Sequence, residues 1–167
     1  VRYFIGLGAN LGDRLTTLRE AARKIEAIGT VMARSRVFAA SPVGGPPQPP
    51  FLNAALLLEC PLDPLTLLER TQEIENAFGR DREHEVRWGP RTLDIDILMA
   101  GPRGELIIDA PELRLPHPRL QERGFAIVPL LDLDATLLHP ELMRPLKALV
   151  GPAQASGQAW APTGDVL

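Results

Sequence analysis

The chain has one cysteine, no basic excess and no long apolar run, and each shortage closes off a class of protein. A single cysteine among 167 residues rules out a disulfide scaffold. Cys60 follows the apolar run Ala54 to Leu58 and reads as a buried thiol in a reducing, cytoplasmic compartment, not as a nucleophile. No stretch approaches the roughly 18 uninterrupted apolar residues of a membrane span, and the N-terminus lacks the basic-then-apolar pattern of a signal peptide. A formal net charge of -3 supplies no general attraction for nucleic acid, although a local basic cluster can still hold phosphates. Missing too are G-x-x-x-x-G-K-[ST], a G-x-G-x-x-G after the first strand, and any His/Cys cluster with zinc spacing, so P-loop, dinucleotide and zinc chemistry are set aside.

Proline is abundant instead: there are 17, and five fall in "SPVGGPPQPP", Ser41 to Pro50. That segment reads as a stiff surface loop or a polyproline stretch. Around it the periodicity is clear. "VRYFIGLG" (1–8) is a buried strand, and "GANLGDR" follows as a glycine-rich turn in which Asn10 or Asp13 can cap a helix. Leu15, Leu18, Ala22 and Ile25 give an amphipathic helix over 13–28 that ends at Gly29. A strand over 30–38 and a more buried one over 51–60, interrupted by Asn53, come next. Asp63 and Pro64 open a helix over 63–79 with an apolar face of Leu65, Leu68, Ile74 and Phe78.

After a charged loop, Arg80 to Pro90, the strand "TLDIDILM" (92–99) is expected to pair with "ELIID" (105–109) as a hairpin. Shorter helices are expected within 116–133 and 140–150, and residues 151–167 read as a tail or linker beyond a domain of residues 1–150. The order β-α-β-β-α-β predicts a ferredoxin-like α+β sandwich of two layers, its sheet mainly antiparallel and its helices on one face. The other face is left open.

In the strand over 92–99, side chains alternate: Leu93, Ile95 and Ile97 point one way, Thr92, Asp94 and Asp96 the other. The aliphatics belong to the helix layer, so the acids stand on the open face. Two carboxylates on Cα atoms about 6.5 to 7 Å apart repel by roughly 2 kcal/mol at an effective dielectric near 20. A divalent cation relieves that repulsion, and Mg²⁺ commonly takes one or two carboxylates plus phosphate oxygens and water. Arginines flank the strand: Arg80, Arg82, Arg87 and Arg91 before it, Arg119 and Arg123 near His117 after it. Mg²⁺-assisted chemistry on phosphate follows, whether group transfer, hydrolysis or polymerisation. An RNA-binding sheet of the same topology fits badly, because acids on the open face repel nucleic-acid phosphate.

Four motifs, "GLGANLGDR", "FLNAA", "RWGPRTLDIDIL" and "LPHPRLQERGFAIVPL", occur in that order, and with them the chain resembles the 6-hydroxymethyl-7,8-dihydropterin pyrophosphokinases of folate biosynthesis from about residue 3 to 150. The resemblance implies transfer of pyrophosphate from ATP to the pterin hydroxymethyl group, with AMP released, by a cytoplasmic monomer that binds neither nucleic acid nor membrane. It implies that Asp94 and Asp96 hold two Mg²⁺ ions and that Arg80 and Arg91 contact the transferring phosphates. It places Arg82, Trp88, Arg91, His117 and Arg123 on ATP, with Gln72 and the Ile97 backbone nearer the adenine. For the pterin it selects Phe51, Asn53 and Phe125, with loop contacts from Ser41, Val43 and Gly44. Phe51 departs from the tyrosine of some relatives, keeping the ring and losing a hydroxyl. Loops 41–50 and 79–91 are expected to close over the substrates.

Overall fold

The computed structural model describes residues 1–41, 47–79 and 92–167. Strand β1 (Arg2–Ala9) leads to helix α1 (Arg14–Glu26), then to strands β2 (Thr30–Arg34), β3 (Arg36–Ala40) and β4 (Phe51–Glu59) and helix α2 (Pro64–Ala77). Strand β5 (Asp94–Ala100) follows, with a small ladder of β6 (Ile108–Asp109) and β7 (Arg114–Leu115). Helix α3 (Gly124–Leu133), a second small ladder of β8 (Leu138–His139) and β9 (Arg144–Pro145), helix α4 (Val150–Ala155) and strand β10 (Trp160–Val166) complete the chain.

The fold is ferredoxin-like, with a mainly antiparallel sheet ordered β10-β3-β4-β1-β5 and β2 pairing beside β3 along β4. Both main helices start where the sequence places a cap: the side chains of Asp13 and Asp63 accept from the backbone N–H groups of Thr16 and Thr66. They pack on one sheet face, where Tyr3, Ile5, Leu7, Leu56, Leu58, Ile95 and Ile97 join Leu18, Ile25 and Leu67 in the main core. On α2 the buried stripe is Leu67, Thr71, Ile74 and Glu75; Leu65 is exposed, while Leu68 and Phe78 pack at the margin.

The second face is divided. At one end Phe4, Ala55, Leu98 and Met99 are buried under Ile127 and Leu130 of α3, forming a smaller core. At the other end the same three strands carry Gly6, Gly8, Asn53, Asp94 and Asp96, which the start of α3 reaches through Arg123.

Two local expectations are corrected. The strand expected over 30–38 is broken at the fully buried Ser35, whose hydroxyl accepts from the Ala55 N–H at 2.7 Å and donates to the Arg36 carbonyl at 2.7 Å. A hydroxyl that satisfies the neighbouring strand in place of a backbone carbonyl interrupts the ladder, so β2 and β3 divide β4 between them. The hairpin expected between β5 and 105–109 does not form; Ile108 and Asp109 pair with Leu115 and Arg114 instead. The shorter helices expected within 116–133 are present as a 3-10 turn, Leu120–Glu122, and α3, both past Pro116 and Pro118. Within 140–150 a 3-10 turn, Leu146–Leu149, leads into α4.

The segment 151–167, expected as a tail or linker, contains α4 and the edge strand β10, which pairs antiparallel with β3 through Trp160↔Ala40, Ala161↔Ala39 and Pro162↔Phe38. Its small polar residues conceal a strand because edge pairing uses backbone groups and tolerates proline. Among the described residues no helix is long and apolar enough to cross a membrane.

Candidate active site

Strand register brings the first and third motifs together. Gly8 lies between Asn53 of β4 and Asp94 of β5, and Gly6 lies between Ala55 and Asp96. Neither glycine projects a side chain onto this face, so a trough runs along β1 with carboxylates on one bank and the Asn53 amide on the other. A Cβ on Gly8 would come within 3.1 Å of Asn53 Oδ1, and one on Gly6 within 2.9 Å of Leu98 Cδ1. The "GLG" of the first strand is therefore a requirement of close approach, with Leu7 alone turned into the core.

Asp94 and Asp96 are half-buried on the trough side, while Ile95 and Ile97 are buried beneath the helices. Asp96 meets Arg123 and His117: Arg123 Nη1 donates to Asp96 Oδ2 at 3.4 Å, and His117 Nε2 stands 3.9 Å from Asp96 Oδ1. His117 is held from both sides, its N–H donating to the Leu98 carbonyl at 2.8 Å and its Nδ1 accepting from the Arg119 N–H at 3.2 Å. Because Nδ1 accepts, the ring proton belongs on Nε2, toward Asp96. Burial first, and the positive charge of Arg123 second, push His117 down to about 4, against a smaller upward pull from Asp94. At neutral pH the contact is thus between a neutral imidazole and a carboxylate, not an ion pair, and the charge opposite Asp96 is the Arg123 guanidinium.

A second carboxylate supports the strand from beneath. Glu75 on α2 is buried, and its Oε2 accepts from the Ile95 N–H at 2.9 Å, between the two aspartates. Among the described residues β5 is the last strand of the sheet, and Glu75 meets a backbone donor on its outer edge. Sequence reasoning passed over it, although a charge at helical spacing from Thr71 and Phe78 is a readable signal of a paired buried acid.

Across the trough, Asn53 is buried and its Nδ2 has no hydrogen-bond partner among the described residues. A buried amide donor without a partner costs about 1 to 3 kcal/mol unless a ligand satisfies it. Phe51 stands half-buried on the same strand, and Phe125 is half-buried with the Arg123 guanidinium 5.8 Å from its ring centre. The proline loop is anchored by Arg14 and by Asn10, which leaves the helix cap to Asp13: Asn10 Nδ2 donates to Gln48 Oε1 at 2.7 Å and to the Pro49 carbonyl at 3.3 Å, and Arg14 Nη1 donates to the Pro50 carbonyl at 2.6 Å. The glycine-rich turn after β1 therefore fixes one end of that loop. Ser41, exposed, marks its other end and donates its backbone N–H to the Ala159 carbonyl at 3.1 Å.

Of the residues singled out by sequence, Asp96, His117 and Arg123 are in direct contact. Asp94, Asn53 and Phe51 line the same face. Gln72 lies half-buried on α2, and Ile97 turns its side chain into the core, leaving only its backbone for a ligand. Val43, Gly44, Arg80, Arg82, Trp88 and Arg91 lie outside the described residues, as do residues 42–46 of one loop expected to close and 80–91 of the other. Among the described residues no group of three or more His, Cys, Asp or Glu side chains could hold a metal ion. Two carboxylates on one strand face instead make a half-shell, which suits Mg²⁺ completed by phosphate oxygens and water.

The match to known proteins covers this whole arrangement. A family model described as 7,8-dihydro-6-hydroxymethylpterin-pyrophosphokinase (HPPK) matches residues 4–135. The chain belongs to this family. A 2-amino-4-hydroxy-6-hydroxymethyldihydropteridine pyrophosphokinase of Bacillus subtilis (strain 168) is 45% identical over 132 residues, covering 78% of this chain and 76% of the relative. Its counterpart in Pseudomonas aeruginosa is 38% identical over 142 residues, covering 84% and 85%. Among solved structures, a Plasmodium falciparum HPPK-DHPS chain superposes with a TM-score of 0.70 at 14% identity, covering 90% of this chain and 45% of that one. Another HPPK-DHPS, crystallised with substrates, gives a TM-score of 0.68 at 12% identity, covering 93% and 43%. The HPPK fold is thus shared, and this chain spans less than half the length of those solved chains.

Proposed function

We propose that this chain transfers pyrophosphate from ATP to the hydroxymethyl group of 6-hydroxymethyl-7,8-dihydropterin, releasing AMP, and that the trough along β1 is where the two substrates meet. The observation that carries the site assignment is the pairing of Asp94 and Asp96 with an unsatisfied Asn53 amide across two glycines. One bank suits cation-bridged phosphates. The other suits the hydrogen-bonding edge of a flat heterocycle, with Phe51 and Phe125 available for its faces.

Asp94 and Asp96 would hold two Mg²⁺ ions, which when bound neutralise charge on the nucleotide phosphates. Arg123 contributes a guanidinium to the nucleotide side while bonded to Asp96, and neutral His117 offers its Nε2 proton beside it as a donor. Arg80 and Arg91 take the transferring phosphates, and Arg82, Trp88, Gln72 and the Ile97 backbone hold the rest of the nucleotide. Ser41, Val43 and Gly44 complete the pterin site.

The hydroxymethyl oxygen attacks the β-phosphorus in line. The bond from that phosphorus to the α–β bridging oxygen breaks, AMP leaves with the oxygen, and the hydroxyl proton passes to solvent. No described side chain is placed as an evident base, so rate enhancement comes from orientation and charge stabilisation. A monomer is the working unit in this reading. ATP as co-substrate and the buried thiol of Cys60 go with a cytoplasmic setting.

Incubation with ATP, Mg²⁺ and the hydroxymethyl-dihydropterin should release AMP only when the pterin is present. AMP release that is absent, or that is equal without pterin, would overturn the reading.

A further inference from the structure

The turn that carries Arg123 is held by a residue far away in sequence and beyond the span that the family model matches. Gln158 places one amide against both neighbours of Arg123: its Oε1 accepts from the Gly124 N–H at 2.9 Å, and its Nε2 donates to the Glu122 carbonyl. Arg123 is the non-helical cap of α3 and no side chain of its own turn caps the helix, so Gln158 satisfies an N–H that the helix leaves open. Two residues on, the Trp160 ring lies so close to Gly124 that a Cβ there would come within 2.4 Å of Trp160 Cζ3. Between them, the Ala159 carbonyl accepts from the Ser41 N–H at 3.1 Å, at the start of the proline loop.

We propose that Gln158 is a positioning residue for nucleotide binding, fixing the backbone on both sides of Arg123 so that its guanidinium stays on Asp96 and over Phe125. The inference rests on the site assignment above and deepens it. A guanidinium at the end of a long side chain reaches one place only if its own backbone is fixed, because small angular errors at Cα grow along the chain. Arg123 itself bonds locally, its N–H to the Leu120 carbonyl and its carbonyl to the Ala126 and Ile127 N–H groups, and Gln158 adds the hold on both neighbours from just ahead of β10, which is anchored on β3 by Trp160↔Ala40 and its neighbours. Segment 158–160 thereby joins the Arg123 turn to the base of the proline loop, the two regions expected to meet nucleotide and pterin.

The test measures binding of a non-transferable ATP analogue with Mg²⁺ by calorimetry to the full chain, to Gln158→Ala and to the volume-preserving Gln158→Met, either of which suffices if the other does not fold. Both should lose affinity by roughly tenfold, the size expected when a pair of hydrogen bonds that holds a charged ligand group is removed. Thr163→Val serves as a structural control, since Thr163 Oγ1 donates to the Val37 carbonyl at 3.1 Å from the adjoining strand β10. That variant should bind as the parent does. On an Arg123→Ala background, loss of Gln158 should change affinity no further, because its effect runs through Arg123. Equal effects of Gln158→Ala and Thr163→Val, or fully additive losses with Arg123→Ala, would overturn the positioning role while leaving the site assignment standing. Unchanged affinity in Arg123→Ala itself would overturn the site assignment, and this inference with it.

Discussion

The two ends of the second sheet face are made from the same three strands yet do opposite work. Where α3 covers them, β1, β4 and β5 present Phe4, Ala55 and Leu98, and the surface is sealed. Two to four residues along the same strands they present Gly6, Gly8, Asn53, Asp94 and Asp96, and the surface is polar. Strand alternation is identical at both ends. What differs is whether a helix lies above, and a sealed end makes the polar end rigid. The carboxylates therefore sit on a strand whose continuation is clamped between two cores.

The sharpest break of this contrast is Asp96→Ala, which should lower pterin-dependent AMP release roughly a thousandfold, by analogy with loss of a key electrostatic group, while leaving the thermal midpoint nearly unchanged. Leu98→Ala, at the sealed end, should do the reverse. It should cost about 3 kcal/mol of stability in denaturant titration, through a cavity in the smaller core, with turnover at low temperature retained by the folded fraction.

Acid should next separate the two ends by way of His117. Its ring is neutral in the fold down to about 4, against an ordinary value of 6.5, so the unfolded chain takes up a proton first as pH falls. Stability from this group is complete above 6.5 and is lost as pH drops toward 4, by an amount on the order of 2 kcal/mol. In His117→Asn the slope of thermal midpoint against pH over that window should flatten; an unchanged slope would contradict the assignment. The smallest effect belongs to Gly8→Ala, whose Cβ would press on Asn53 Oδ1 and narrow the trough. Pterin affinity should fall about tenfold, the order of a modest steric misfit, and analogue binding should hold. Equal loss of both ligands would show that the two banks of the trough are not separate sites.

Much of this contrast was legible before any coordinates. The two-residue period of "LDIDIL" assigns Asp94 and Asp96 to one face and Ile95 and Ile97 to the other, and both main helices begin at their aspartate caps. Less legible were features that depend on partners distant in the chain. Ser35 breaks a strand only because its hydroxyl finds the Ala55 amide. Glu75 appears as an ordinary helix charge until the edge of β5 is brought against it. The last residues lack apolar patterning, yet they form β10, since an edge strand can be held by backbone bonds alone.

Local rules thus determined the kinds of element, their caps, and which side chains share a face, because each depends on neighbours within a few residues. Tertiary structure alone decided that Gly8 would stand between Asn53 and Asp94, that α3 would seal only half of a face, and that Gln158 would bracket Arg123. Register and long-range pairing arise from contacts between residues tens of positions apart, and no period within one strand or helix encodes them.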